Sequence, residues 1–314
     1  MDTLYLVIPC YNEEEVLPET SKRLLEKMEG LIERQKISEN SRIVFVDDGS
    51  KDKTWELISA LHQENPLCSG VKLARNRGHQ NALLAGLMTV KEHCDMAISL
   101  DADLQDDIDV IDQFVEKYYE GCDVVYGVRS ARETDTFFKR TTAEGFYKVM
   151  KSLGVDIVNN HADYRLLSKR ALEGLAEFKE VNLFLRGIVP LIGYKSAVVT
   201  YERHERFAGE SKYPLKKMLS FAFDGITSFS VKPIQMITSL GVLIFAVGML
   251  YLLYAVIALI AGWSLAVWTP VFISLWVIGG LQLAAIGLVG QYVGKAYMET
   301  KHRPRFIIET FLNK

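Results

Sequence analysis

The stretch Ala97-Ile98-Ser99-Leu100-Asp101-Ala102-Asp103-Leu104-Gln105-Asp106 decides how the rest of the chain is read. Its first four residues are a short, mostly apolar run, the pattern of a buried strand. Asp101 and Asp103 follow at the strand's C-terminal end, one residue apart. Two carboxylates placed so can converge on one hard cation. Mg2+ and Mn2+ prefer oxygen donors, and Mg2+ typically takes one or two carboxylates plus substrate phosphates. The pair therefore reads as a metal–diphosphate site. An acidic turn before a helix N-terminus uses the same residues, so the flanking sequence has to discriminate.

Working outward, strands and helices alternate. Leu4–Pro9 reads as a first strand, with a helix from Glu14 to about Arg34. Arg42–Val46 is a second strand, ending at Asp47-Asp48-Gly49-Ser50, and a helix follows with Trp55, Ile58 and Leu61 on its inner face. Gly70–Ala74, Met96–Leu100 and Asp123–Val128 are three more strands, with helices over Gly78–Val90 and Val110–Tyr119. The alternation predicts an α/β domain with a mostly parallel sheet. Ligands of such sheets bind outside the carboxyl ends of the strands. The polar clusters of this chain fall there: after Pro9, Val46, Ala74, Leu100 and Val128. Further on, Thr134–Arg140 reads as a polar loop, and Phe146–Leu153, Lys169–Phe178 and Asn182–Ile192 as helices. Ser196–Tyr201 reads as a late strand.

Composition narrows the classes. The 314 residues carry a net charge of −3, and no long basic run precedes the apolar region, which disfavours nucleic acid as a partner. Cys10, Cys68, Cys94 and Cys122 lack metal or redox spacing and read as buried thiols of a reducing compartment. The N-terminus has no basic leader segment. From Pro233 to Gly294 there is no Asp, Glu, Lys or Arg. A membrane span needs about 20 apolar residues, so this stretch is expected to hold two, near 234–261 and 267–289, with Trp263, Trp268 and Pro270 at the turn. A buried helical hairpin is the alternative. Pro214–Ser230 reads as an amphipathic helix on the membrane surface, or else as a core helix of the α/β domain. Basic residues on both flanks (Lys212, Lys216, Lys217 and Lys232; Lys295, Lys301, Arg303 and Arg305) put both termini and the α/β domain in the cytoplasm.

Four motifs together carry a resemblance: Val7-Ile8-Pro9-Cys10-Tyr11-Asn12-Glu13-Glu14, Val46-Asp47-Asp48-Gly49-Ser50, Asp101-Ala102-Asp103-Leu104-Gln105-Asp106, and Arg206-Phe207-Ala208-Gly209-Glu210-Ser211-Lys212-Tyr213. In these the chain resembles glycosyltransferase family 2, and within it the bacterial and eukaryotic polyprenyl-phosphate glycosyltransferases. The resemblance implies a GT-A (Rossmann-like) fold at 1–213. It also implies an amphipathic juxtamembrane helix at 214–232, a two-helix transmembrane hairpin at 233–294 and a basic cytoplasmic tail at 295–314.

The resemblance also implies roles. Pro9, Tyr11, Asn12 and Glu13 match the first nucleotide-binding loop, and Asp47 and Asp48 the carboxylates that meet base and ribose. Carboxylates suit those donors, although Asp-Gly-Ser is also ordinary turn chemistry. Arg75, Asn76 and Gly78 match the third donor loop, Gly78 opening a helix whose N–H groups favour phosphate. His79, without an evident partner, reads as structural. Asp101 and Asp103 match the metal ligands for Mg2+ or Mn2+, with Asp103 also at the catalytic centre and Gln105 as companion. Asp106-Asp107-Ile108 departs from the commoner Asp-Pro-Pro. Arg129 matches a basic residue after the fifth strand. Asp163 matches the acidic residue near the acceptor, usually called the catalytic base. A phosphomonoester is largely dianionic at neutral pH and needs little help from a base, so orienting the acceptor is an equal role. Arg203, Arg206, Ser211 and Lys212 form a cluster suited to a lipid phosphate, or to anionic lipid generally.

The expectation is a bacterial, multi-pass plasma-membrane enzyme transferring a hexose with inversion from a UDP-sugar to undecaprenyl phosphate. Glucose stands first, with N-acetylglucosamine or mannose from GDP-mannose as alternatives. A non-catalytic membrane scaffold is the rival of another class, but it has no need of Asp101, Asp103 and Asp163 together. Gly290 and Gly294 leave a homo-oligomer open, and the family implies a tetramer.

Overall fold

The computed structural model describes residues 1–129, 161–202 and 268–313, with scattered positions between 234 and 261. Eight strands form one sheet in the order β7-β5-β6-β4-β1-β2-β3-β8. They are β1 (Leu4–Cys10), β2 (Arg42–Asp47), β3 (Cys68–Leu73), β4 (Met96–Ser99), β5 (Val124–Arg129), β6 (His161–Ser168), β7 (Ser196–Tyr201) and β8 (Ile308–Leu312). Parallel pairing runs through β4-β1-β2-β3 and again between β5 and β7. Strands β6 and β8 run antiparallel to their neighbours.

Residue alternation builds a layer on each face of the sheet. In β1, Leu4, Leu6, Ile8 and Cys10 point to one face and Tyr5 and Val7 to the other; in β2, Ile43 and Phe45 oppose Val44 and Val46. This is the period-2 pattern of a strand buried on both sides. On the first face lie α1 (Leu17–Glu33), α2 (Thr54–Glu64) and α4 (Ile111–Tyr119), inserting Leu24, Met28, Ile58, Ile111 and Phe114. On the second lie α3 (His79–Val90), α5 (Lys169–Ala176) and α6 (Leu185–Leu191), inserting Leu83, Leu84, Leu172 and Ile188. Helix α3 presses closely on the sheet: a Cβ at Gly86 would come within 2.4 Å of Val7 and 2.6 Å of Val46. Glycine there lets α3 settle low, and so brings its N-terminal residue, His79, to the rim of β4.

Every strand and helix expected over residues 4–129 is present, with boundaries moved by one to three residues. Two strands are additions. Strand β6 runs antiparallel between β4 and β5. Strand β8 forms from the C-terminal stretch expected as a basic tail, and pairs with β3. The expected loop at 134–140, the helix at 146–153 and the amphipathic helix at 214–230 lie outside the described residues.

The expectation of two membrane spans is corrected. Among the described residues, no helix is long and apolar enough to cross a membrane, and the multi-pass membrane topology built on those spans falls with them. The expectation rests on the absence of charged residues and on length. The structure instead places Trp268 and Pro270, expected in the turn, inside the first turn of α7 (Trp268–Thr300), where a proline's missing N–H costs little. That helix continues past the apolar stretch through Lys295 and Glu299. Its end is bound to the α/β domain: Glu299 accepts the backbone N–H groups of Val181 (2.8 Å) and Asn182 (2.8 Å). Arg305, just beyond, donates to the carbonyl of Phe178 at 2.9 Å.

Candidate active site

The loops after β1 and β2 are stitched together by side chains. Asn12, at φ 52°, donates its backbone N–H to Ser50 Oγ (3.0 Å) and accepts the N–H of Lys51 at 2.9 Å through Oδ1. Glu13 N–H donates to Thr54 Oγ1 at 2.9 Å. Pro9 and Cys10 end β1 in buried positions, and Tyr11 follows half-buried. Asp47 closes β2 fully buried. Its Oδ1 accepts the N–H of Ser50 at 3.1 Å, while its Oδ2 is buried without a partner among the described residues. Burial raises the carboxyl above its usual range, opposed by the Ser50 hydrogen bonds and the Lys72 charge. An orphaned acceptor at a strand end is costly unless a donor arrives there.

Asp48 does something different from its neighbour. Its two oxygens accept the backbone N–H groups of Arg77 (2.7 Å) and Gly78 (2.8 Å). It thus shapes the loop after β3 that carries Arg75, Asn76 and Gly78. Gly49, at φ 68°, permits this approach, because a Cβ there would sit 2.7 Å from the Asn76 nitrogen. Gly78 adopts φ 83° and leaves open space where a Cβ would be.

Asp101 and Asp103 leave β4 at the centre of the sheet edge, and Asp103 Oδ1 accepts the N–H of Gln105 at 3.2 Å. Leu104 takes φ 55°, which turns the chain between them. Asp107 caps the following short helical turn by accepting the N–H of Asp109 at 2.9 Å, so a side-chain cap starts the turn that proline presets through its fixed φ in the commoner motif. Beside it, Arg129 donates to Tyr201 Oη (3.2 Å) and Asp106 (3.3 Å), and Tyr201 donates to the same Asp106 oxygen. Burial opposes the Arg129 charge, and Asp106 more than restores it, raising its pKa.

Asp163 reaches this edge from β6. The register Ser99↔Arg165 sets the two strand ends side by side, and Ser99 Oγ donates to the Asp163 carbonyl at 2.5 Å. His79 stands between the two acidic groups, its Nε2 3.6 Å from Asp101 Oδ1 and 3.5 Å from Asp163 Oδ2. Burial lowers the His79 pKa, but the hydrogen bond to Asp163 and the Asp101 charge win and bring it to about 9. The imidazole is therefore protonated at neutral pH. Asp101 is pushed up to about 6, first by burial and then by Asp106, Asp163 and Asp103, against the pull of His79. Asp163 goes the other way. Burial raises it, but Arg186, His79 and Arg165 together hold it well below the usual carboxylate range.

The sequence reading set His79 aside because no partner was visible, and it did not single out Arg186 at all. The signal for Arg186 was present: one arginine inside the apolar run Leu183-Phe184-Leu185-Arg186-Gly187-Ile188-Val189. Arg203, Arg206, Ser211 and Lys212 lie outside the described residues.

The glycosyl transferase family 2 model matches residues 5–175. The uncharacterized glycosyltransferase YkoT of Bacillus subtilis is 56% identical over 98% of this chain and 91% of its own length. The bactoprenol glucosyl transferase of Shigella phage SfV is 39% identical over 97% of each chain. A prophage bactoprenol glucosyl transferase homolog of Escherichia coli K12 matches at the same level.

Proposed function

We propose that this chain, which belongs to glycosyl transferase family 2, transfers glucose, with inversion, from a UDP-sugar to undecaprenyl phosphate, and that it does so, with a divalent cation, in the cleft at the carboxyl ends of β1 to β4. The observation that carries this reading is the convergence, through His79, of Asp101 from β4 and Asp163 from β6.

Among the described residues, no group of three metal-ligating side chains forms a self-sufficient cage. The fit is to a cation that arrives with its substrate. Asp101 and Asp103 would supply the one or two carboxylates that Mg2+ takes alongside substrate phosphates. When bound, such a cation supplies neutralisation of the charge that grows on the leaving diphosphate. The chain's own residues do the rest. Asp47, with its orphaned oxygen, accepts from the uracil or ribose, and the loop of Pro9, Tyr11, Asn12 and Glu13 walls that pocket. Asp48 holds Arg75, Asn76 and Gly78 against the donor phosphates. Gln105 supports the acidic turn, and Arg129 braces it through Asp106. The acceptor phosphate needs no base, being already largely dianionic, so Asp163 orients rather than deprotonates. Arg203, Arg206, Ser211 and Lys212 remain assigned to the acceptor phosphate on sequence grounds.

The reaction is tested by incubating purified protein with UDP-glucose, UDP-N-acetylglucosamine or GDP-mannose and undecaprenyl phosphate, then weighing the lipid product. Glucosyl transfer that needs Mg2+ or Mn2+ is expected. Undiminished transfer in excess EDTA would remove the metal from this reading, and a different hexose on the lipid would replace the donor.

A further inference from the structure

The carboxylate of Asp163 carries one charge and faces two arginines and a histidine. Arg165 Nη2 donates to its Oδ1 at 2.5 Å, Arg186 Nη2 to its Oδ2 at 3.2 Å, and His79 Nε2 lies 3.5 Å from the same Oδ2. Arg165 alone is enough to neutralise it, and Arg165 is shut in, with its side chain 2% exposed. Arg186 is in a different position, with 33% of its side chain open. It spends Nε and one N–H of Nη2 on Asp163. Among the described residues, nothing accepts from Nη1. A guanidinium holds five N–H donors in a rigid fork, so among the described residues this one keeps an edge free of partners beside Asp163.

Its placement is built. Leu185 N–H donates to Gln80 Oε1 at 3.0 Å, and the Leu185 carbonyl accepts from Arg165 Nη1 at 3.4 Å, so the backbone before Arg186 is fixed to α3 and to β6. Leu185, Ile188 and Val189 are buried on the other side of α6. Preorganised donors of this kind are what oriented binding of a reacting anion requires.

We propose that Arg186 binds the phosphate of the acceptor lipid, and that Asp163 is the positioning residue that aims it. This rests on the reading of the cleft given above. Contacts of 3.6, 3.5 and 3.2 Å lead from Asp101 through His79 and Asp163 to Arg186. That sets the guanidinium three contacts away from the carboxylate assigned to the metal, on the side of Asp163. A phosphate oxygen held there attacks the anomeric carbon as the bond from that carbon to the UDP oxygen breaks. The bonding pair leaves on UDP. Because the attacking phosphate is a dianion, no proton moves, and the total charge is the same on both sides.

The test uses the full chain and two variants, Arg186→Gln and Arg186→Lys. Initial rates are measured against undecaprenyl phosphate concentration, and UDP binding is titrated by calorimetry with Mn2+ present. Arg186→Gln is expected to raise the acceptor KM roughly ten- to a hundred-fold, at about 1.4 kcal/mol per decade, with UDP affinity unchanged. Arg186→Lys, which keeps the charge but not the fork, should fall between. If UDP affinity drops while the acceptor KM holds, the residue serves the donor diphosphate and the proposal is overturned. If neither changes, Arg186 is only a salt-bridge partner, and the proposal is equally overturned. Circular dichroism and melting curves check folding, and if the glutamine variant does not fold, the lysine variant decides alone. A wild-type protein that made no glucosylated lipid would overturn the underlying reading instead.

Discussion

Asp48 holds Gly78 by the backbone: its Oδ2 accepts the glycine N–H at 2.8 Å, while Oδ1 takes the N–H of Arg77 at 2.7 Å. A residue that its motif would place against the nucleotide therefore holds the loop of Arg75, Asn76 and Gly78. Asp48→Ala leaves the Arg77 N–H unpaired and the Gly78 N–H with only the Asn76 side chain, at 3.2 Å. A buried donor left so costs about 1–3 kcal/mol. The expected outcome is a loss of that order in urea unfolding, together with weaker UDP binding by calorimetry. Unchanged UDP affinity in a destabilised variant would restrict Asp48 to the fold.

Asp103 lies in a turn and supports no core packing, so Asp103→Ala should unfold like the wild type. Transfer is expected to vanish, and Mn2+ should no longer strengthen UDP binding in a calorimetric titration. Full turnover by this variant would show that the cation, if one is needed, sits elsewhere.

Asp163 links stability to pH. Its native pKa is held well below the usual range, so its contribution is fully present above the unfolded carboxylate value near 4. It is lost as pH falls from there through the native pKa. Asp163→Asn leaves Arg165 buried without its counter-charge, and breaking such a pair costs about 3–5 kcal/mol. Denaturant unfolding at neutral pH should show that deficit, and the gap between variant and wild type should narrow as the pH drops below about 4. The same variant should raise the acceptor KM, because Arg186 loses its anchor. A gap that stays constant into acid would mean that the asparagine harms packing rather than charge.

Glu299 gathers the N–H groups of Val181 and Asn182 and the Asn182 side chain, four residues before Arg186. Burial raises its pKa, but these donors prevail and lower it. Glu299→Ala is expected to lower the melting temperature and raise the acceptor KM several-fold, with UDP binding intact. A fall in UDP affinity alone would uncouple this clamp from the acceptor side.

The parallel core was legible because both of its cues are local. Residues such as Ile43, Val44, Phe45 and Val46 are continuously apolar, and each run stops at a polar turn. Strand β6 hid for the opposite reason: it buries Asp163 and Arg165 against each other, so the stretch His161–Ser168 reads as polar until the pairing is known. The edge strand β8 carries half-exposed residues and a glutamate that pairs with Lys72, and only its partner 237 positions away makes it a strand. In the site, Asp101 and Asp103 announced themselves through spacing. His79 and Arg186 did not, since their meaning lies in Asp163, which reaches them from a strand that crosses the sheet the other way. The spans were read from the absence of charge alone, and among the described residues no helix is both long and apolar enough to cross a membrane.

One outermost strand of the sheet, β8, comes from a stretch far along the chain from the strand it covers. Residues 308–312 close over β3, whose Ser69 donates to the Leu312 carbonyl across 243 positions of sequence. Throughout synthesis, then, the nascent protein displays the open hydrogen-bonding rim of Cys68–Leu73, and a bare strand rim is a template for pairing with other chains. Translation must pass residue 312 before that rim is covered. Any premature stop, even one that spares every residue of the catalytic cleft, releases a protein with an adhesive flank.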